Sequence, residues 1–254
     1  MKTTRSGPVI AAIKALIFMT YVYASAQTPG SDASGIIRRA NVSMGCDLVG
    51  RQASIRVEGV LSASSLSVLM PIKINTQGSD HYRSELDTPK ERKTTVINGG
   101  RGQIQHGDGQ VTALAEHNTS HQHPLHIPCL TNIGLPPDQV DAVFLRTERA
   151  GSDFVDVVNL ELSGRPKDKQ AAERMKTTVW ISRSAGYLVK LQYLNASEQD
   201  ANDTQLVEIE YSDYRVTDGL AVPFHQVTRS GHLTLDLRIN SVQLNAPIAD
   251  FNLR

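Results

Sequence analysis

Four histidines lie within ten residues of one another, and neutral imidazoles bind zinc and copper: His117, His121, His123 and His126. A His-x-x-x-His spacing places two of them on one face of a helix. Pro124 and Pro128 disfavour a regular helix in this stretch, and the His-Glu-x-x-His arrangement of metalloproteases is missing from it. The cluster therefore leaves a metal site and a solvated polar loop as alternatives. The prolines favour the loop, and no cofactor is predicted.

Two pairs of carboxylates are close in sequence, Asp153 with Asp156 and Glu208 with Glu210. Such pairs can divide the roles of acid and base. Glu208 and Glu210 would share one face of a strand, but apolar neighbours take the inner face, so a solvated outer face is expected. The sequence contains no Gly-x-Ser-x-Gly turn, no Gly-rich phosphate loop and no Cys-x-x-Cys pair. We therefore predict a protein that is not an enzyme.

The two cysteines of the chain are Cys46 and Cys129. A disulfide between them would close a loop of about 80 residues and contribute about 4 kcal/mol in the loop-entropy model. The alternative is a pair of free, partly buried thiols.

Composition limits the class of protein. The chain has 254 residues, 26 basic against 26 acidic side chains, and 40% apolar residues. This is enough for one globular domain with its own core, and it is untypical of disorder or a coiled coil. A neutral chain lacks the basic face that a nucleic acid requires. A monomer without nucleic-acid partners is expected.

The first 26 residues resemble a secretory leader. Lys2 and Arg5 precede an apolar run that is too short for a confident membrane span, and Ala24-Ser25-Ala26 fits a signal-peptidase site. Cleavage after Ala26 is predicted, which leaves residues 27–254 as a single domain that is periplasmic or secreted. A retained N-terminal anchor is the alternative.

The rest of the chain is predicted to be mainly β. A helix is expected over residues 32–44, where apolar residues recur every three or four positions, Ser31 or Asp32 can cap the start and Gly45 follows the end. Beyond it the apolar period changes to two, with Gly-containing turns between the segments. This pattern predicts one antiparallel sheet of ten or eleven strands, since no helices alternate with the strands.

A single sheet of this size must curl, and its apolar face needs a cover. The helix and the irregular, proline-rich stretch between Leu114 and Asp138 are expected to lie on the concave side as a lid and to leave an apolar hollow. Trp180 is expected on the opposite face, as a rim anchor or an exposed edge residue. The residues predicted to line the hollow alternate along the strands: Ile55, Val57, Leu66, Val68, Met70, Val179, Ile181, Val189, Leu191, Val207, Ile209, Leu235 and Leu237.

Several segments resemble the LolA/LolB-like superfamily of outer-membrane lipoprotein-sorting proteins, and especially its uncharacterised exported bacterial relatives. These are residues 178–182, 186–190, 211–224 with its Asp218-Gly219 turn, and 245–251. The resemblance covers most of the mature chain as an order of elements. It implies an unclosed antiparallel barrel with a helical lid around a cavity for acyl chains.

The sequence therefore predicts an exported cell-envelope protein that binds or carries an apolar ligand, the acyl chain of a lipid or lipoprotein. Acyl chains are recognised by apolar area, at about 0.8 kcal/mol per buried CH₂. Envelope membrane proteins are further candidate partners. Two alternatives stay open: a structural or interaction protein with a filled interior, and a metal-dependent enzyme that uses the histidine cluster.

Overall fold

The structure is a computed structural model that describes residues 32–48, 54–78, 81–114, 125–163, 176–196, 204–247 and 250–251. The predicted leader and His117, His121 and His123 lie outside the described residues. Within the described residues, no helix has the length and apolar character needed to cross a membrane.

The predicted helix is present as α1, Ala33–Met44. Its apolar side is buried, with Ile36, Ala40 and Met44 in the core. Gly45 ends the helix in the left-handed conformation, and its N–H bonds to the last turn. Asp32 holds the N-cap position, although its side chain makes no capping hydrogen bond. The helix limits predicted from periodicity and Gly45 are therefore confirmed.

Thirteen strands within the described residues form one antiparallel sheet, where ten or eleven were expected. In the first half they are β1 Ser54–Ala63, β2 Leu66–Gln77, β3 His81–Asp87, β4 Arg92–Asn98, β5 Arg101–Gln105 and β6 Val111–Leu114. In the second half they are β7 Val140–Ala150, β8 Asp153–Leu162, β9 Thr177–Ser182, β10 Leu188–Ala196, β11 Thr204–Thr217, β12 Leu220–Ser230 and β13 Leu233–Leu244.

The sheet consists of two meanders that join through the first and last strands. The spatial order runs from β6 back to β1, then to β13, and from β13 back to β7. β1 pairs with β13, from Ile55 opposite Leu244 to Ala63 opposite Leu235. The edge strands β6 and β7 stand at opposite ends of this order, so the sheet is not closed. The predicted fold class, a single unclosed antiparallel sheet with an N-terminal helix, is confirmed.

The core lies on the inner side of the sheet. Alternate residues of most strands join one continuous apolar cluster, in which the strands meet α1 and an irregular segment that we call the strap (residues 125–139). The strap is built from three short 3₁₀ turns. It contributes Leu125, Ile127, Cys129 and Ile133 to the cluster. The described part of the predicted lid therefore covers the concave face.

Candidate functional site

The concave face is the candidate binding surface. Nine of the thirteen residues predicted to line it are buried in the main cluster: Ile55, Val57, Met70, Val179, Ile181, Leu191, Val207, Ile209 and Leu237. Leu235 is half-buried against the same cluster. The side chain of Leu66 lies outside the described residues. These ten buried or half-buried residues come from both meanders, so the face is continuous across the β1–β13 pair.

Val189 is the clear error among the predicted lining residues. The pairing of β10 with β9 shifts between Leu188 and Lys190, which breaks the alternation along β10. Leu188 and Leu191 therefore both belong to the inner cluster, while Val189 packs with Trp180 in a second cluster on the opposite face.

Trp180 is also not the exposed or edge residue that was expected. It is buried with Val155 and Val157 on the convex face. Its ring lies 4.2 Å from the Lys190 ammonium, and its Nε1–H donates to Glu148 Oε1 at 2.7 Å. The hydrogen bond from Trp180 is the main reason that the pKa of Glu148 is lowered. The indole is thus part of a second small core and does not point into the concave side.

The cover of the concave face is one connected unit. Cys46, just after α1, and Cys129, in the strap, form a disulfide with a Cα–Cα distance of 5.1 Å. Asn41 of α1 also donates from Nδ2 to the carbonyl oxygen of Ile133 at 2.9 Å. Of the two states that the sequence allowed for the cysteines, the structure contains the bridged one. Helix and strap are therefore joined both covalently and by a hydrogen bond.

Polar contacts also join the strap to the sheet. The backbone N–H of His126 donates to Gln226 Oε1 at 3.0 Å, and Asn132 Nδ2 donates to Thr177 Oγ1 at 3.0 Å. Both acceptors lie in buried positions on the inner face.

Among the described residues, no group of three or more His, Cys, Asp or Glu side chains could hold a metal ion.

The strap also encloses a set of buried polar side chains. His126, Tyr193, Tyr211 and Gln226 are all at most 9% exposed, and the rings of His126 and Tyr193 lie 6.3 Å apart. Burial raises the pKa of Tyr211 well above its usual value. Tyr211 Oη and Gln226 Nε2 have no hydrogen-bond partner among the described residues, which costs about 1–3 kcal/mol for each such group. A polar atom of a ligand at this position would offset that cost.

The space left beneath the strap is small. A cavity of about 40 Å³ lies between the strap and strands β2 and β3, beside Thr76, Tyr82 and Leu130. Pockets for small molecules usually measure about 300–1,000 Å³. This part of the interior is therefore filled by the protein's own side chains.

The two ends of the concave face are different. At one end, which we call the open end, the turns at 64–65 and 231–232 connect the strands. Leu233 lies there on the same side as Leu235 and is 42% exposed. Val68 was predicted to line the hollow, but it is 40% exposed and lies where the pairing of β1 with β2 shifts register, so alternation does not fix its side. The apolar face therefore reaches solvent at the open end.

At the other end, which we call the helix end, a cleft of about 460 Å³ lies between α1 and the β9–β10 turn. Its lining combines core side chains with polar ones: Ile36, Arg39, Ala40, Ser43, Asp156, Ile181, Ser182, Arg183, Ser184, Ala185 and Gly186. The cleft is not evident from the sequence, because Arg39 and Arg183 are far apart in the chain and neither belongs to a motif.

Asp156 and Asp153 support the turn that borders the cleft. Asp156 is buried, accepts a hydrogen bond from Thr147 Oγ1 at 2.7 Å and lies 3.6 Å from Arg183 Nε. Asp153 accepts hydrogen bonds from Ser182 and Ser184, which lower the pKa of its carboxyl group. The two carboxylates thus hold the turn and are not arranged as an acid and a base. The sequence did not predict that Asp156 would be buried.

Glu208 and Glu210 lie on the outer face, as expected from the alternation. Arg229 contacts both carboxylates, and Lys190 and Gln192 also bind Glu208. Burial alone would raise the pKa of Glu208, but the hydrogen bonds from Gln192 and Lys190 lower it. The pair is engaged in a surface ion-pair network.

Gly186 sets the distance between α1 and the β9–β10 turn. Its φ is +72°, and a Cβ at this position would collide with the side chain of Ser43. We expect Gly186→Ala to lower the free energy of unfolding by about 2–3 kcal/mol, because left-handed strain of about 1–2 kcal/mol adds to the clash. Gly151→Ala is the matched control, since Gly151 has a φ of +61° and open space around it. Urea denaturation of both variants measures the difference, and equal losses would contradict the close approach of the helix.

Comparisons with known proteins identify the fold. No protein-family model and no curated protein matches the sequence. Among solved structures, a domain assigned to the outer membrane lipoprotein-sorting proteins, from Vibrio parahaemolyticus, is similar with a TM-score of 0.55 and 12% identity, over 87% of this chain and 97% of that one. A LolA superfamily protein from Nitrosomonas europaea has a TM-score of 0.52 and 12% identity, over 86% and 95%.

A DUF1329 family protein from Desulfovibrio piger is similar to the same extent, with a TM-score of 0.53 and 10% identity over 85% of this chain and 95% of that one. At these identities the comparisons show the fold. The chain has a LolA-like fold, in agreement with the resemblance found in its sequence.

Proposed function

We propose that this LolA-like protein binds an apolar ligand, the acyl chain of a lipid or lipoprotein, against its concave face in the cell envelope. The observation that carries the proposal is the continuous apolar face of the main cluster, which reaches solvent at Leu233 beside the half-buried Leu235. An acyl chain needs apolar area and no special residue types, so a face of this kind is a sufficient binding surface.

Ligand uptake requires the cover to shift, because the described space beneath the strap is too small for an acyl chain. The disulfide and the Asn41 hydrogen bond join helix and strap, so the two would move together. Polar contacts between strap and sheet include those of His126 and Asn132 and the hydrogen bond from the Ser163 N–H to the carbonyl oxygen of Gln139. When the cover opens, an acyl chain could replace the apolar side chains that the strap contributes to the cluster.

The cell envelope is proposed as the location for two reasons. The first 26 residues fit a cleavable secretory leader. The Cys46–Cys129 bridge suits an oxidising compartment outside the cytoplasm. Cell fractionation with N-terminal sequencing tests this point, and the mature protein is expected to begin at Gln27.

Binding can be measured with a neutral fluorescent probe, N-phenyl-1-naphthylamine, added to delipidated protein. We expect saturable binding of the probe and its displacement by lipid. Leu235→Gln is expected to weaken probe binding about tenfold, because removing one apolar side chain from the surface loses about 1.5–3 kcal/mol at most. Native mass spectrometry of protein purified from envelopes is expected to show bound lipid.

Leu206→Gln is the matched control, because Leu206 is 53% exposed on β11 beside the inward-facing Val207. It is expected to leave probe binding unchanged. Absence of saturable binding in the unmodified protein, or equal effects of the two substitutions, would contradict the proposal.

A structural or interaction protein with a filled interior is the second candidate, and the cavity of about 40 Å³ favours it. That function predicts no co-purifying lipid and no probe binding, whereas the carrier function predicts both. The same experiment therefore separates the two.

A further inference from the structure

We propose that the cleft at the helix end receives the anionic headgroup of the ligand, a carboxylate or phosphate, on Arg39 and Arg183. This inference rests on the proposed function, because it names the class of amphiphile that the concave face would take. The acyl chain would pass from the cleft between α1 and the sheet as the cover shifts, because Ile36, Ala40 and Ile181 are at most 3% exposed in the structure.

The lining of the cleft has the two chemical characters that an amphiphile requires. Ile36, Ala40 and Ile181 line it, and each also belongs to the main apolar cluster. The cleft is therefore in direct contact with the covered concave face. Arg39 and Arg183 are exposed and line the same space. A ligand with an apolar chain and a charged end would find a partner for each part.

The charges of the cleft favour an anion. Two guanidinium groups line it with one carboxylate, that of Asp156. Asp156 is already engaged by Thr147 and lies 3.6 Å from Arg183. Arg39 has no ion-pair partner among the described residues, so its charge is available to a ligand. Asp153 does not line the cleft, and its carboxylate accepts hydrogen bonds from Ser182 and Ser184.

The positions of the side chains also suit an anion. Arg39 and Ser43 are four residues apart in α1, so they lie on one face of the helix, opposite the β9–β10 turn that carries Arg183. A planar guanidinium donates two parallel hydrogen bonds to a carboxylate or phosphate. Gly186 allows the helix to approach the turn closely and thus places both arginines at one cleft.

The test compares a fatty acid with its neutral ester. The probes are cis-parinaric acid and its methyl ester, titrated into the unmodified protein, the Arg39→Gln/Arg183→Gln double variant and an Arg38→Gln control. We expect the acid to bind about tenfold more tightly than the ester to the unmodified protein, and the double variant to lose this preference, as charge-assisted hydrogen bonds of this kind predict. The ester is expected to bind all three proteins alike.

Arg38→Gln controls for the loss of a positive charge outside the cleft, because Arg38 is exposed on the same helix and does not line the cleft. It is expected to bind both probes as the unmodified protein does. Thermal melting checks that each variant is folded. Folding is expected in all of them, because the three arginines are exposed.

Three results would overturn the inference. Equal affinity for acid and ester in the unmodified protein would leave apolar binding intact but remove the headgroup site. Inorganic phosphate that binds to the cleft as tightly as the acid would identify a free anion as the ligand. If neither probe binds, the proposed function fails and this inference fails with it.

Discussion

Replacing Cys46 and Cys129 together by serine is expected to lower the free energy of unfolding by about 4 kcal/mol and the melting temperature by about 10 °C. The bridge joins residues 83 apart, so its loss restores a large loop entropy to the unfolded chain. It also removes the covalent link between the strap and α1, which then keep the hydrogen bond between Asn41 and Ile133. Differential scanning calorimetry measures both quantities.

Reduction of the unmodified protein provides the control for the serine substitutions. Dithiothreitol is expected to lower its melting temperature to that of the double variant and to have no effect on the variant itself. The double variant is preferable to either single one, because a single substitution leaves a reactive thiol. A melting temperature that stays within about 2 °C of the unmodified value would contradict a stabilising bridge.

Local patterns in the sequence were sufficient to predict the elements of the fold. Strand alternation and glycine turns gave the antiparallel meanders, and Gly45 gave the end of α1. Thirteen strands are present where ten or eleven were predicted, because short strands such as β6, which has four mostly exposed residues, show little alternation. The pairing of β1 with β13 joins residues 172 to 189 apart in the chain, and no local signal specifies it. Alternation predicted a single curled antiparallel sheet, and the likeness to a known superfamily implied that this sheet forms an unclosed barrel.

The inner face of the sheet was predicted correctly where strand alternation is regular and wrongly where it is broken. Alternation placed nine of the predicted residues on the buried inner face but failed at Val189, because the pairing of β10 with β9 shifts and puts Leu188 and Leu191 on the same side. It also did not predict the exposure of Val68, where the pairing of β1 with β2 shifts register. The cleft at the helix end depends on a contact between α1 and the β9–β10 turn, which only the tertiary structure creates.

Substitution of Ile209 by alanine is expected to lower the free energy of unfolding by about 3 kcal/mol and the melting temperature by about 9 °C. Ile209 is completely buried in β11, where it pairs with Leu191 on one side and Thr228 on the other. Removing its side chain leaves a cavity in the middle of the concave face, and the surrounding strands can relax only in part. Chemical denaturation with urea measures the loss.

Leu206→Ala on the same strand is the control, and it is expected to change stability by no more than about 0.5 kcal/mol. Leu206 faces outward and is 53% exposed, whereas Ile209 lies three positions further along and faces inward. A slip of one residue in the pairing of β11 would exchange the two faces. Leu206 would then face inward, and its replacement would cause the larger loss of stability. The ratio of the losses in the free energy of unfolding at Ile209 and Leu206 therefore tests which face of the sheet is the concave, buried one. A larger loss at Leu206 would contradict the register of β11 and the proposed binding surface.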